Sequence, residues 1–94
     1  MCTNICENKE ITGSGLRDNG WFKVKEARVS FEHPFNLQSE YSLNIDLVND
    51  DLGLDARVGI ELTPESARRL MATVESVLSQ GEKVLGSDFL VALR

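Results

Sequence analysis

The 94-residue sequence has no long apolar run and no excess of positive charge. No stretch approaches the ~18–20 apolar residues that a membrane-spanning helix requires, so we expect no membrane partner. Lys and Arg together number 10, against 15 Asp and Glu, and the formal net charge is −5. Binding to a phosphate backbone requires clustered basic residues, whereas those of this sequence are scattered. We therefore expect no nucleic-acid partner.

Cysteine and histidine are also scarce, with two Cys and one His in the whole sequence. Cys2 and Cys6 are four positions apart and make a poor disulfide framework. The N-terminal residues contain neither a basic segment nor an apolar one, so we expect no secretory signal. These features predict a cytoplasmic protein, because thiols stay reduced in that compartment.

The length predicts a single domain over residues 1–94, and four segments of it have strand-like patterns. The clearest are residues 41–47 and 56–62, where apolar and polar residues alternate as in antiparallel strands with one covered face. A less regular first strand is predicted over residues 3–12. The glycine-rich residues 13–20 that follow it predict a loop.

The remaining strand is predicted from Trp21 to His33, and Pro34 ends it because proline has no amide hydrogen for the sheet. Its apolar residues change parity in mid-strand. Side chains alternate between faces with a period of two, so one face cannot hold both sets without an extra residue. A β-bulge near Lys25 and Glu26 is therefore predicted.

A helix is predicted after the last strand. Thr63 is a suitable N-cap and Pro64 suits the first helical position, while Gly81 is a natural stop. Between them, apolar residues recur at helical spacing in one stripe: Ala67, Leu70, Met71, Val74, Val77 and Leu78. This stripe is expected to pack against the inward strand residues, in a core with Leu43, Ile45, Val58 and Ile60.

The predicted fold class is α+β, in the order β-β-β-β-α: an antiparallel sheet of about four strands with the helix packed on one face. The last apolar segment, residues 89–93, is compatible with a short strand, a second helix or a contact with another subunit.

Several short motifs resemble those of a family of small bacterial proteins of about 90–110 residues, catalogued as a domain of unknown function. The motifs are Met1-Cys2-Thr3, Gly13-Ser14-Gly15, Gly20-Trp21-Phe22, Phe31-Glu32-His33-Pro34-Phe35, Leu43-Asn44-Ile45-Asp46 and the helix start from Leu62 to Arg68. The resemblance covers most of residues 1–80. It implies one domain and brings no activity, cofactor or site with it.

Two residues carry the candidate catalytic chemistry. Cys2 is a potential nucleophile and His33 is the only histidine that could activate it. A spectator thiol and a histidine bonded to backbone at the end of a strand are the structural alternatives. A metal site would need Cys6 as well, but on an extended strand its sulfur lies roughly 13 Å from that of Cys2, at ~3.3 Å per residue. We therefore expect no metal and no cofactor.

Three further residues are candidates for binding. Asn44 and Asp46 are poor strand formers in the middle of a good strand, and such local conflicts are expected at functional sites. Trp21 is the third candidate, because the predicted fold alone does not explain so large a side chain at this position. A pocket is predicted where the N-terminal segment meets the end of the strand that carries His33, with the outer face of the sheet as its floor.

The sequence leaves two functions open. The first is a small cytoplasmic binding or interaction domain, a homodimer without catalysis of its own, with a small molecule as a further candidate ligand. The reasons are the open second face and edges of the predicted sheet and the absence of a credible catalytic set. The alternative is a small cysteine-dependent enzyme or metal-binding protein that uses Cys2 and His33. Whether the protein is an enzyme therefore stays open at this point.

Overall fold

The computed structural model describes residues 4–86. Its elements, in chain order, are β1 (Ile5–Arg17), β2 (Gly20–Glu32), β3 (Ser42–Val48), a short 3₁₀ turn (Asp50–Leu52), β4 (Arg57–Leu62) and α1 (Pro64–Leu85). The α+β class, with four antiparallel strands followed by one helix, is confirmed. The chain forms two compact units that divide after Pro64, the first holding the sheet and the second the helix. Cys2 and residues 89–93 lie outside the described residues.

The sheet is a simple meander in the order β1-β2-β3-β4. Its register brings the alternating apolar residues of three strands into rows: Phe31 beside Leu43 and Leu62, Val29 beside Ile45 and Ile60, and Ala27 beside Leu47 and Val58. Because side chains alternate along each strand, the polar residues form matching rows on the other face. The alternation in the sequence therefore predicted both faces of β3 and β4.

The first hairpin is longer than the sequence predicts. β1 continues through the glycine-rich segment to Arg17, and the chain turns only at Asp18 and Asn19. The predicted loop over residues 13–20 is therefore wrong. Glycine here provides space rather than a turn, because a Cβ on Gly15 would lie 3.0 Å from the Phe22 ring.

The predicted β-bulge is on the other strand of that hairpin. The register of β1 against β2 shifts between Glu10 and Gly13, opposite Lys25. A change of pairing requires one extra residue, but the pattern of a single strand does not say which partner holds it. With the extra residue in β1, Val24 stays on the same face of β2 as Glu26, which pairs with Val48.

Val24 and Val48 form the buried centre of the sheet unit, at 2% and 4% exposure. Asn49 is buried next to them and donates through Nδ2 to the carbonyl of Lys23 at 2.9 Å. At the end of β1, Arg17 donates through Nη1 to the carbonyls of Asp55 and Arg57. These bonds connect the first hairpin to the turn before β4.

The helix begins at Pro64, as predicted, but does not stop at Gly81. It ends at Leu85, where Gly86 takes a left-handed conformation with φ +83° and donates to the carbonyl of Glu82. A glycine inside a helix costs only about 1 kcal/mol relative to alanine, which the surrounding helix-forming residues offset.

Most of the apolar stripe of α1 is exposed, contrary to the prediction that it is buried, and only its first residue, Ala67, is buried at 5% exposure. Leu70 is 41% exposed, Met71 69% and Val74 51%. A periodic stripe shows which side of a helix is able to bury apolar surface, but it does not show what covers that side.

Among the described residues no helix is long and apolar enough to cross a membrane.

Candidate functional site

The candidate site is a groove of about 390 Å³ on the polar face of the sheet, which we call the strand groove. β3 and β4 form its floor and the loop after Pro34 forms its wall. It is lined by Phe35, Asn36, Leu37, Asn44, Asp46, Arg57, Gly59, Ile60 and Glu61. Two of the residues that the sequence proposes for binding, Asn44 and Asp46, therefore lie together in it.

An ion pair crosses the floor of the strand groove. Arg57 donates to Asp46 Oδ1 from Nη2 at 2.9 Å and from Nε at 3.1 Å. Asp46 reaches Arg57 across Gly59, its direct partner on β4. A Cβ at position 59 would lie 2.7 Å from Asp46 Oδ1, so the absence of a side chain makes room for this pair.

Asp46 keeps one oxygen available to a ligand. Its Oδ2 has no hydrogen-bond partner among residues 4–86, and its side chain is 27% exposed. Asn44 lies two positions earlier on the same face. Its Oδ1 accepts from the buried hydroxyl of Ser42 at 2.8 Å, which directs the amide nitrogen away from that bond.

Glu61 holds the wall of the strand groove. One carboxylate oxygen accepts from the backbone N–H of Phe35 at 2.8 Å and the other from that of Asn36 at 3.0 Å. The bond from Phe35 is the largest cause that lowers the pKa of Glu61 below its ordinary value; desolvation opposes it, and the bonds from Asn36 add a smaller lowering effect. Glu61 thus fixes the loop after Pro34 to β4.

Acid is expected to release this loop. Since the pKa of Glu61 is lower in the folded protein, the two bonds contribute stability above the ordinary pKa of 4.5 and lose it as the pH falls through the folded value. In an NMR titration, the amide signals of Phe35 and Asn36 should move together below pH 4.5. Glu61→Gln should abolish this joint transition, whereas Glu75→Gln on the helix should leave it intact. Amide signals that do not respond to acid in the unaltered protein would contradict the role of Glu61.

His33 lies just after β2 and is bound to backbone. Its Nδ1 donates to the carbonyl of Glu40 at 2.9 Å, and its ring stacks on Tyr41 at 4.9 Å between centroids. Phe31 stacks on the same tyrosine at 5.3 Å. These contacts connect the two ends of the loop that forms the groove wall, which gives His33 a structural role.

The structure does not bring Trp21 and His33 together. Nearly the whole 13-residue length of β2 separates them, with Trp21 at the hairpin tip and 70% exposed. The N-terminal segment does reach the His33 end of β2, since Ile5 pairs with Phe31. A second cavity of about 480 Å³ lies at that end of the sheet, but neither Trp21 nor His33 lines it.

The model of a family of unknown function, DUF6295, matches residues 1–87. The chain belongs to this family. The match spans all four strands of the DUF6295 sheet, and with them every residue of the strand groove. Searches of curated proteins and of solved structures found no match.

Within this DUF6295 chain, two parts of the groove, its charged partners on β4 and its aromatic wall, are not predictable from the sequence. In the sequence, Arg57 and Glu61 are two charged residues of an alternating segment, and nothing there distinguishes them from solvated surface charges. Phe35 follows Pro34 in a loop, and no local pattern indicates that it is 87% exposed in the groove wall. The signal for Glu61 was weak, because its partners are backbone amides of a loop whose path depends on the fold.

Among the described residues, no group of three His, Cys, Asp or Glu side chains is placed to hold a metal ion.

Proposed function

We propose that this protein is a small cytoplasmic binding domain, homodimeric and without catalysis of its own, which holds an amine-bearing ligand in the strand groove. The observation that carries the proposal is the acceptor-rich floor of the groove. Asp46 presents an unengaged carboxylate oxygen there, next to a guanidinium that bonds only to its other oxygen.

The charge of the groove selects the class of ligand. Two carboxylates, Asp46 and Glu61, and one guanidinium, Arg57, line it, for a formal charge of −1. The protein as a whole carries −5. A ligand that carries phosphate or several carboxylates would be repelled by both, whereas an ammonium group would be attracted.

The wall of the groove adds apolar contact. Phe35 and Leu37 stand on the loop that Glu61 anchors, and the ring of Phe35 is largely exposed. Small-molecule sites combine such apolar surface with a few placed polar groups. An organic amine with a short hydrocarbon chain therefore fits the groove better than an inorganic cation does.

The proposal that the protein forms a homodimer is supported by large apolar side chains that are exposed among residues 4–86. On the sheet unit, Leu16, Trp21 and Ile60 are exposed, and on the helix unit Met71 and Val77 are. Exposed apolar surface of this kind marks interaction sites. Sedimentation of the purified protein at increasing concentration measures this part of the proposal directly.

Ligand binding is tested by NMR with simple probes. Putrescine and lysine should shift the backbone amide signals of Asn44, Gly59 and Asn36 in a saturable manner, while succinate and inorganic phosphate should not. Asp46→Asn should weaken amine binding about tenfold or more, because it removes the charge that an ammonium group contacts. Asp18→Asn, at the hairpin turn, is the matched control and should bind like the parent.

Amine binding in the strand groove and the cysteine-dependent alternative are tested by different measurements. Amide signals of the groove that no amine moves would overturn the groove as an amine site. The cysteine-dependent alternative makes a different prediction: one unusually reactive thiol at neutral pH, lost in Cys2→Ser and reduced in His33→Ala. Thiol titration of the parent and these two variants tests that alternative independently of the groove.

A further inference from the structure

The outer edge of β1 is the most open part of the sheet. β1 has 13 residues, and every one from Ile5 to Ser14 is exposed. The opposite edge, β4, has only six residues, and Arg17 already donates to two carbonyls at its start. A long exposed edge offers unpaired backbone groups to another strand.

The charges along this edge restrict which strand can pair with it. Before the bulge, Glu7 and Lys9 pair with Val29 and Ala27 of β2, so both charged side chains lie on the apolar face of the sheet. Charges in that position discourage pairing with an arbitrary strand, because each would be covered without a partner. A strand that supplies the opposite charges at both positions removes this penalty.

We infer that β1 pairs antiparallel with β1 of a second copy of this chain, about a two-fold axis at Asn8. In that register, Glu7 of each copy lies directly opposite Lys9 of the other, which forms two cross-strand ion pairs on one face. The symmetry closes the assembly at two copies, since each β1 edge is used once.

Neighbouring registers lack this complementarity. An axis at Glu7 or at Lys9 would place two identical charges opposite each other. An axis between Asn8 and Lys9 is excluded by the pleat, because it would place residues of opposite faces, such as Glu7 and Glu10, directly across from each other. Like charges directly opposite each other destabilise a strand pair, so the charge order selects the register centred on Asn8.

This inference rests on the homodimer in the proposed function, and it names the surface involved. Sedimentation equilibrium of the parent protein should show dimers. Glu7→Lys and Lys9→Glu should each raise the dimer dissociation constant about tenfold or more, because by symmetry each reversal places like charges opposite at two positions. The double variant Glu7→Lys/Lys9→Glu should restore dimerisation, which a merely structural effect of the single changes would not do.

A charge reversal away from the proposed interface serves as the control, and two different results would contradict the proposal. Lys23→Glu reverses an exposed charge on β2 opposite Ser14 and should leave the dissociation constant unchanged. A dimer that is insensitive to both single reversals would overturn the β1 pairing and leave the homodimer standing. A parent protein that is monomeric at millimolar concentration would overturn both. Neither result bears on amine binding in the strand groove.

Discussion

Replacing Asn49 with alanine is expected to destabilise the sheet unit by about 2–4 kcal/mol, the cost of leaving buried partners unsatisfied. Asn49 is 3% exposed. Its Nδ2 donates to the carbonyl of Lys23 at 2.9 Å, and its Oδ1 accepts from the N–H of Asp51 at 3.1 Å. Alanine removes both bonds and leaves the carbonyl of Lys23 without this donor. Chemical denaturation followed by circular dichroism measures the loss.

Gln38→Ala is the control for this substitution, because Gln38 also carries a side-chain amide but is exposed. Its effect should remain within about 0.5 kcal/mol, as is usual for surface positions. Asn49→Asp separates the two bonds, since aspartate still accepts from Asp51 but cannot donate to Lys23. An Asn49→Ala protein as stable as the Gln38→Ala protein would show that the bond between the loop and β2 contributes nothing.

Gly15→Ala is expected to cost about 1–3 kcal/mol through overpacking. The new Cβ would lie 3.0 and 3.1 Å from two carbons of the Phe22 ring and 3.2 Å from a methyl of Val24. Val24 is 2% exposed, so it has little room to move away. Valine at position 15 should enlarge the effect, because its methyl groups extend further into the same space.

Gly13→Ala provides the matched control two residues away on the same strand. A Cβ at position 13 would meet no atom within 4 Å. The substitution should be neutral or stabilise by up to about 1 kcal/mol, since alanine restricts the unfolded chain more than glycine does. Equal thermal stabilities for the two alanine variants would contradict the close contact of Phe22 and Gly15.

Local patterns were sufficient for the elements whose two faces differ. In β3 and β4 the alternation predicted strands and their two faces, because a one-residue slip would move every apolar side chain to the polar face. Which strands pair was decided by the structure. The start of α1 was equally clear, since Thr63 and Pro64 provide an N-cap and a first helical residue that require no tertiary contact.

Patterns with two physical explanations were less informative. Gly15 was predicted to form a loop, yet the structure uses the missing side chain to accommodate Phe22. The bulge was predicted in β2 and lies in β1, because a register shift belongs to a pair of strands. Gly81 was predicted to end the helix, but Gly86 is the glycine that takes a left-handed conformation.

The candidate site was predictable only in part. Asn44 and Asp46 were chosen because polar residues in mid-strand conflict with local preference, and both lie in the strand groove. Their partners come from elsewhere in the chain. Arg57 reaches Asp46 only through the pairing of β3 with β4, and Glu61 meets Phe35 only because the loop folds back over β4.

The sequence by itself determined the α+β class, the order of the elements and the division of β3 and β4 into an apolar and a polar face. These properties follow from side-chain periodicity and from capping residues, which act over a few positions of the chain. Only the tertiary structure decided the position of the bulge, the bond from Arg17 to the turn before β4, and the strand groove itself. Those features depend on which distant segments meet, and local periodicity carries no information about that.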